Sequence, residues 1–297
     1  MAWAFAAMVL AVGGEVDAAQ ARVAVYSGHG AMLVNGDLLP NLLLDGDIAA
    51  ETLSASDIRA GRLQGFDVVI FAAGFSSDQS AALGQDGRDA VRRFVAAGGG
   101  YVGICAGAYL ALAGRDTPRT DRLELMAAAS VDPWRRGEGE VGIIPVGGSG
   151  PPCTLDYENG PLVQLVRRRD LPAPAVRALY DEPAGALARS RLAGTPAVLA
   201  ARYGIGRVLL FSPHPDRRMC RSWMLRQGVR WASGRGVKST EAPAWATILP
   251  PERLTLPVAS LPRPMIDLLR STRWYAQLRA LRESRPPPPS PPSADRH

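Results

Sequence analysis

A doubly wound α/β domain with a mostly parallel sheet is the fold class this sequence predicts, and three observations carry the prediction. Apolar runs at 22–26, 67–74 and 101–104 lack the in-out alternation of a sheet wetted on one side, so they read as strands covered on both faces. An amphipathic helical pattern separates the second of these runs from the third. A further helical stretch starts directly behind the third, and strand alternating with helix is the rhythm of a parallel sheet.

Taken in order, Arg22 to Tyr26 is a buried strand that runs into the Gly-rich turn Ser27-Gly28-His29-Gly30. Asp67 to Gly74 has the same form. Between Asp78 and Ala97 the periodicity turns Ala82, Leu83, Ala90, Val91, Phe94 and Val95 inward, and Gly98-Gly99-Gly100 supplies the left-handed residues that end a helix. Tyr101 to Ile104 is the third strand and 106–113 the helix behind it. The middle, 115–195, is less regular: strand-like pieces lie at 122–128 and 141–146, with a Gly/Pro-rich connection at 147–152 and the segment Tyr157 to Pro161. A hairpin follows, 197–203 and 207–211 about the turn Gly204-Ile205-Gly206. It delivers the chain to Ser212-Pro213-His214-Pro215-Asp216, after which 217–232 has the apolar periodicity of a helix.

The domain organisation is accordingly 1–21, an apolar leader; 22–233, the α/β domain; 234–284, a C-terminal extension with helical periodicity at 265–281; and 285–297, a Pro-rich tail that cannot build a core. The leader ends in Ala19-Gln20-Ala21, a small-x-small pattern like a signal-peptidase site, so export to the periplasm or beyond is expected. The positive n-region of such a signal is missing. The alternative is therefore an N-terminal helix packed on a cytoplasmic domain. No other segment is apolar over the ~18 residues that span a bilayer, and no stable membrane insertion is expected once the leader is cleaved.

A chain of 297 residues, 47% of them apolar, can bury a full core. The formal net charge of +6 comes almost wholly from arginine, with Lys238 the sole lysine, alongside abundant Ala, Gly and Pro, which reads as codon bias rather than a selected surface. Its short basic runs are scattered and carry no interleaved aromatics, so nucleic acid is not an expected partner. Three cysteines, Cys105, Cys153 and Cys220, are too few for a zinc cluster or a disulfide scaffold, and the odd count leaves at least one thiol free. No metal and no cofactor are expected. The aromatics Trp274 and Tyr275 of the extension read as core or interface residues.

The motif that carries chemistry is Gly103-Ile104-Cys105-Ala106-Gly107, a G-x-C-x-G run where a strand meets a helix, the thiol version of a nucleophile elbow. The turn pushes the central side chain out above the sheet edge and admits no bulk at Gly103 or Gly107. The start of the helix favours a thiolate, and the N–H of Ala106 is available to an oxyanion. A second donor is expected from the loop after the preceding strand, at Gly74. A buried structural cysteine is the competing reading of the motif alone. A base must accompany the thiol, and of three histidines His297 ends the Pro-rich tail. His214 follows an apolar strand, is framed by prolines, and has Asp216 two residues on to orient its ring. Both groups then sit at the C-terminal edge of the sheet, where α/β sites form. His29 lies at that edge too, as a pocket residue or a turn residue.

This order of motifs resembles the class I glutamine amidotransferase superfamily, flavodoxin-like in its sheet, whose triad is Cys, His and Glu in a His-Pro-Glu segment. The stretches Ala97 to Tyr109 and Phe211 to Asp216 are similar specifically to the amidotransferase-like domain at the N-terminus of some biotin-protein ligases and in stand-alone bacterial proteins. The resemblance covers 22–233 and implies a Cys105, His214, Asp216 triad with Gly74 and Ala106 as oxyanion donors. Two departures matter. The acid is Asp216, one methylene shorter, and Tyr109 stands where glutaminases of this superfamily usually carry Gln. With no synthetase domain and no ligase catalytic domain in the chain, the resemblance implies neither glutamine-fed synthesis nor biotin ligation. The expected function is a cysteine-dependent hydrolase or amidase acting on a small-molecule or peptide substrate, and the alternative is a non-catalytic small-molecule-binding module.

Overall fold

Residues two apart along the central strands bury on the same face, neighbours on opposite faces, and each face has its own helices. In the computed structural model the described residues are 20–32, 38–44, 46–131, 137–146, 153–217 and 223–234. In chain order the elements are β1 (Ala21–Tyr26), α1 (Leu38–Leu43), β2 (Ile48–Leu53), α2 (Ala55–Arg59), β3 (Val68–Phe71), α3 (Ser76–Ala96), β4 (Gly100–Ile104), α4 (Ala106–Ala111), β5 (Ala128–Ser130), β6 (Glu138–Pro145), β7 (Cys153–Glu158), β8 (Val163–Leu165), β9 (Ala175–Tyr180), β10 (Pro196–Tyr203), β11 (Gly206–Phe211) and α5 (Trp223–Ser233).

The main sheet runs β2-β1-β3-β4-β11-β10-β9-β6-β7. Its first five strands are mutually parallel and its last four pair antiparallel, beginning with β10 on β11. The expectation of a mostly parallel sheet is therefore corrected to a mixed one. The parallel half has the order 2-1-3-4 and then β11, the flavodoxin-like arrangement, with its reversal of direction between β1 and β3. On one face Val23, Val25, Val68, Ile70, Val102, Ile104, Leu209 and Phe211 pack with α1 and α5. On the other, Ala24, Tyr26, Val69, Phe71, Tyr101, Val208 and Leu210 pack with α2, α3 and α4. There Phe71 stacks between Tyr26 and Tyr101, at centroid distances of 4.7 and 5.7 Å.

Local chemistry sets the ends of the helices. Ser54 caps α2 through a reciprocal pair, its Oγ accepting from the Asp57 N–H while its own N–H donates to the Asp57 carboxylate. Gly98, at φ +117°, closes α3 as the glycine run predicts. Three expectations shift. The stretch 122–128 is a strand only from Ala128. Before it, Leu123 and Leu125 donate their N–H groups to Leu110 and Ala111 at the end of α4, and Glu124 takes φ +47°. Arg217 is a bend rather than the start of a helix, and the helix expected from about there is described over Trp223–Ser233. The helix behind β4 ends at Ala111 rather than 113. Residues 1–19 of the leader, 147–152, Cys220, Trp274, Tyr275, the periodicity at 265–281 and the Pro-rich tail lie outside the described residues, while Ala21, at the leader's end, is the first residue of β1.

The antiparallel half does not simply extend the sheet. It curls until β7 returns to the segment behind β11, where the N–H of His214 donates to the Asp156 carbonyl at 2.7 Å in an isolated bridge. No helix among the described residues is long and apolar enough to cross a membrane.

Candidate functional site

Cys105 ends β4 and caps α4 in a conformation L-residues rarely adopt, φ 52° and ψ −102°. Its N–H donates to the Phe211 carbonyl at 2.9 Å, which locks the strand end to β11. The glycines beside it are there for space. A Cβ on Gly107 would sit 1.8 Å from the Phe71 carbonyl oxygen, and one on Gly103 would sit 2.7 Å from that of Gly107. Tyr101 fixes the same turn from below, its buried hydroxyl donating to the Gly107 carbonyl at 2.7 Å. Only 8% of Cys105 is exposed.

His214 lies three residues beyond β11, at the same edge of the sheet, and is 2% exposed. Its Nδ1 stands 3.2 Å from the buried Asp216 carboxylate. Its Nε2 is buried and has no hydrogen-bond partner. Burial works against a charged imidazole, but the Asp216 carboxylate and the neighbouring Cys105 outweigh it and hold the His214 pKa up at about 9. Burial likewise works against the Asp216 anion, and the His214 charge overrides it, keeping Asp216 below its usual range. The Asp216 backbone is fastened too: the buried Asn41 amide donates to its carbonyl at 2.9 Å, and Arg226 donates to the carbonyl of Asn41 at 3.1 Å.

The curled antiparallel half supplies a cover. The Cys105 thiol donates to the Glu158 carbonyl at 3.3 Å, the Tyr109 hydroxyl to that of Asn159 at 3.3 Å, and the Ser212 hydroxyl to that of Pro161 at 2.7 Å. Asn159 turns the chain at φ +53°, and Arg217 ion-pairs with the Glu158 side chain. Tyr180, fully buried with its hydroxyl pushed well above 10 by that burial, lies within electrostatic reach of Cys105 and Tyr109.

At the same sheet edge, the loops after β1 and β3 are joined. Met32 donates to the Ala73 carbonyl and Phe75 to the Gly30 carbonyl, both at 2.9 Å. Gly74, at φ +134°, has no room for a side chain, since a Cβ would lie 2.0 Å from the Gly30 oxygen. Among the described residues, neither the Gly74 nor the Ala106 N–H donates to a protein acceptor. Of the residues singled out from sequence, Cys105, His214 and Asp216 are thus brought together, with Gly103, Gly107, Ala106 and Tyr109 around the turn. His29 is exposed; its carbonyl, not its ring, makes the defined contact, accepting from the Tyr26 hydroxyl at 2.8 Å. Glu158, Tyr180, Asn41 and Gln79 were not foreseen. Of these only Gln79 left a signal, because its spacing from Leu83 puts a polar residue on the inward face of α3. No group of three or more metal-ligating side chains is assembled among the described residues.

No protein-family profile matches the chain, and no curated protein matches it. Among solved structures, a putative ThuA-like protein from Parabacteroides merdae superposes with a TM-score of 0.51 over 75% of this chain and 93% of its own, at 12% identity. At that identity the likeness is one of fold, an α/β fold shared with the ThuA-like protein. A putative GMP synthase component from Thermoplasma acidophilum matches at TM-score 0.42 and 14% identity, over 70% of this chain and 94% of that one. A β-galactosidase from Bacillus circulans sp. alkalophilus matches at 0.46 and 16%, over 73% of this chain. The chain spans only 29% to 32% of the β-galactosidases it matches.

Proposed function

We propose that the protein is a cysteine-dependent hydrolase or amidase of a small amide, ester or peptide, with Cys105 as nucleophile, His214 as proton carrier and Asp216 as its orienting anion. One observation supports this above the rest: a strained cysteine and a buried His-Asp couple share one sheet edge, and the ring nitrogen not used by Asp216 has no partner. A structural histidine so deeply buried ordinarily satisfies both nitrogens. The finer likeness to the N-terminal domain of biotin-protein ligases belongs to the same proposal, as does export of the mature chain.

In the reaction, the thiol rotates away from the Glu158 carbonyl, which cannot take its proton, toward His214, which can. Once the proton has passed from sulfur to ring, the working form of the pair is thiolate and imidazolium, with the Asp216 carboxylate stabilising the charged ring. The sulfur attacks the carbonyl carbon and an S–C bond forms; the oxygen becomes an anion held by the N–H groups of Ala106 and Gly74. Collapse breaks the bond to the leaving nitrogen or oxygen, which takes the proton from His214. Water then adds to the thioester, giving its proton to His214, and the C–S bond breaks to return the thiolate and release the acid.

The test is iodoacetamide alkylation of Cys105 in the full chain, followed on its own peptide by mass spectrometry to separate it from Cys153 and Cys220. Between pH 6 and 7 the wild type should react at least about tenfold faster than His214→Ala. Equal rates would remove the Cys-His pair. The second reading, a binding module without turnover, draws on the thiol's bond to the Glu158 carbonyl and the tyrosine at 109. It predicts that Cys105→Ser leaves the binding of a ligand found by thermal-shift screening unchanged, and that no product forms in either protein.

A further inference from the structure

We infer that Gln79 is a positioning residue that fixes the direction of the Gly74 N–H, the second oxyanion donor of the proposed hydrolase; the inference rests on that reading of the site. Gln79 sits in the first turn of α3 and is fully buried. A polar side chain there is costly unless it is bonded. Its amide nitrogen faces three carbonyls at once, those of Ala72 at 3.2 Å, Ala73 at 3.4 Å and Gly30 at 3.4 Å. These belong to the two loops that meet across the topological switch point of the sheet.

The consequence follows from the planarity of one peptide. The Ala73 carbonyl and the Gly74 N–H are two ends of a single trans peptide unit, so they point in opposite directions. The Ala73 oxygen is drawn inward by two donors, the Met32 N–H and the Gln79 amide. The Gly74 N–H is thereby directed away from the Gln79 side, and it has no protein acceptor of its own among the described residues. Glycine is required at this φ of +134°, yet glycine alone lets the same peptide flip. Phe75 and Met32 cannot prevent a flip by burial, being 61% and 37% exposed. Gln79 supplies the restraint from inside, donating to the carbonyls of Ala72 and Ala73 and to the facing loop.

The experiment compares two reactions of the same sulfur. Acylation by p-nitrophenyl acetate forms the S–C bond, expels p-nitrophenolate and passes through an oxyanion; alkylation by iodoacetamide displaces iodide and forms none. Gln79→Met, which keeps length and removes the amide, should slow acylation of Cys105 about tenfold or more while leaving alkylation unchanged. A purely structural role would move both rates together, and that result overturns the inference, as does an unchanged acylation rate. Should Gln79→Met fail to fold by circular dichroism, Gln79→Glu keeps the volume and places a carboxylate against three carbonyl oxygens; the same selective loss is expected, and its absence is equally decisive. Wild-type protein that alkylates readily but is never acylated would sink the hydrolase reading itself, and this inference with it.

Discussion

In the parallel half of the sheet the central strands are covered on both faces by helices and their ends carry the residues of the proposed chemistry, whereas in the antiparallel half one end of the sheet curls over and contributes main-chain carbonyls, the buried Tyr180 and the Glu158 carboxylate that pairs with Arg217. Cys105 and His214 both follow parallel strands, β4 and β11. What the antiparallel strands add is the Glu158 to Pro161 segment that lies against them. The difference separates two tasks: a rigid layer holds strained geometry, and a folded-back layer decides what reaches it.

If that division is right, the same kind of substitution should cost far more in one half than in the other. Gly107→Ala would push a Cβ to 1.8 Å from backbone of β3 that has no room to move. A loss of about 4 kcal/mol or more in urea denaturation is expected. Gly194→Ala, in the loop between β9 and β10, meets no atom within 4 Å and bears only the strain of φ +68°, which is about 1 kcal/mol. Equal losses would break the comparison.

Charge ties together the ends of the separate two-stranded β5–β8 sheet, which belongs to neither half. Arg168, just past β8, bonds to Glu124 behind α4 at 3.2 and 3.3 Å, and both are nearly buried. Burial pushes the Glu124 carboxyl up, but Arg168 and the N–H groups of Gly114 and Arg119 outweigh it and hold it below its usual range. Arg168→Met leaves that anion buried without its cation, and about 3 kcal/mol of stability should go. Glu124→Gln should cost less, because an amide oxygen can still accept from the two backbone groups.

The central parallel strands are the most legible, and of the antiparallel ones 197–203 and 141–146 read as β10 and part of β6, for physical reasons. Strands buried on both faces are continuous apolar runs, and the Gly-rich turns beside Cys105 are dictated by close backbone approach, so β1, β3, β4 and the elbow could be read directly. Edge strand β2, Ile-Ala-Ala-Glu-Thr-Leu, is half wet and escaped notice. So did β7 and β9, whose burial is broken and whose partners are remote in sequence. The segment 122–128 misled because Leu123, Leu125 and Met126 are buried as a strand's residues would be, while the backbone bonds of the two leucines run to a helix end. In the site, the nucleophile, the histidine and the acid are motif residues. Glu158 acts through a main-chain carbonyl, to which its side-chain identity gives no clue.

The histidine-acid couple gives a pH signature that belongs to the parallel half alone. The folded pKa of His214, about 9, lies above the reference of about 6.5, so its contribution to stability is fully present below pH ~6.5 and is lost as pH rises through 9. A decline of about 1–3 kcal/mol across that window is expected, counted once for the pair. Asp216 has the opposite sign, its share present above the ordinary carboxylate pKa and lost as pH falls through its lowered one. Melting temperatures of reduced wild type and His214→Gln from pH 6 to 9.5 should diverge at the low end and converge at the high end. Parallel curves would mean that the couple is not charged in the folded state.

The smallest effect tests the cover. The Arg217–Glu158 ion pair is partly exposed, so Arg217→Ala should cost only about 0.5 kcal/mol or less. Its consequence at Cys105 should still be measurable. The pair fastens the Glu158 end of the segment to the residue immediately after Asp216, and the Glu158 carbonyl holds the thiol. The Pro161 end is held separately, by the Ser212 hydroxyl and by Tyr157 donating to the Gly160 carbonyl at 2.8 Å. Glu158 stays paired with Glu138 in the β6–β7 ladder, and Asn159 still donates to the Gly137 carbonyl at 2.9 Å. Losing the side-chain pair therefore loosens that end without freeing it, and alkylation of Cys105 should speed up about twofold at low salt. Wild type should approach the same rate in about 1 M salt, where an exposed pair is screened. If neither the substitution nor salt alters the rate, the segment is held by its backbone and buried bonds alone, and the ion pair has no part in the cover.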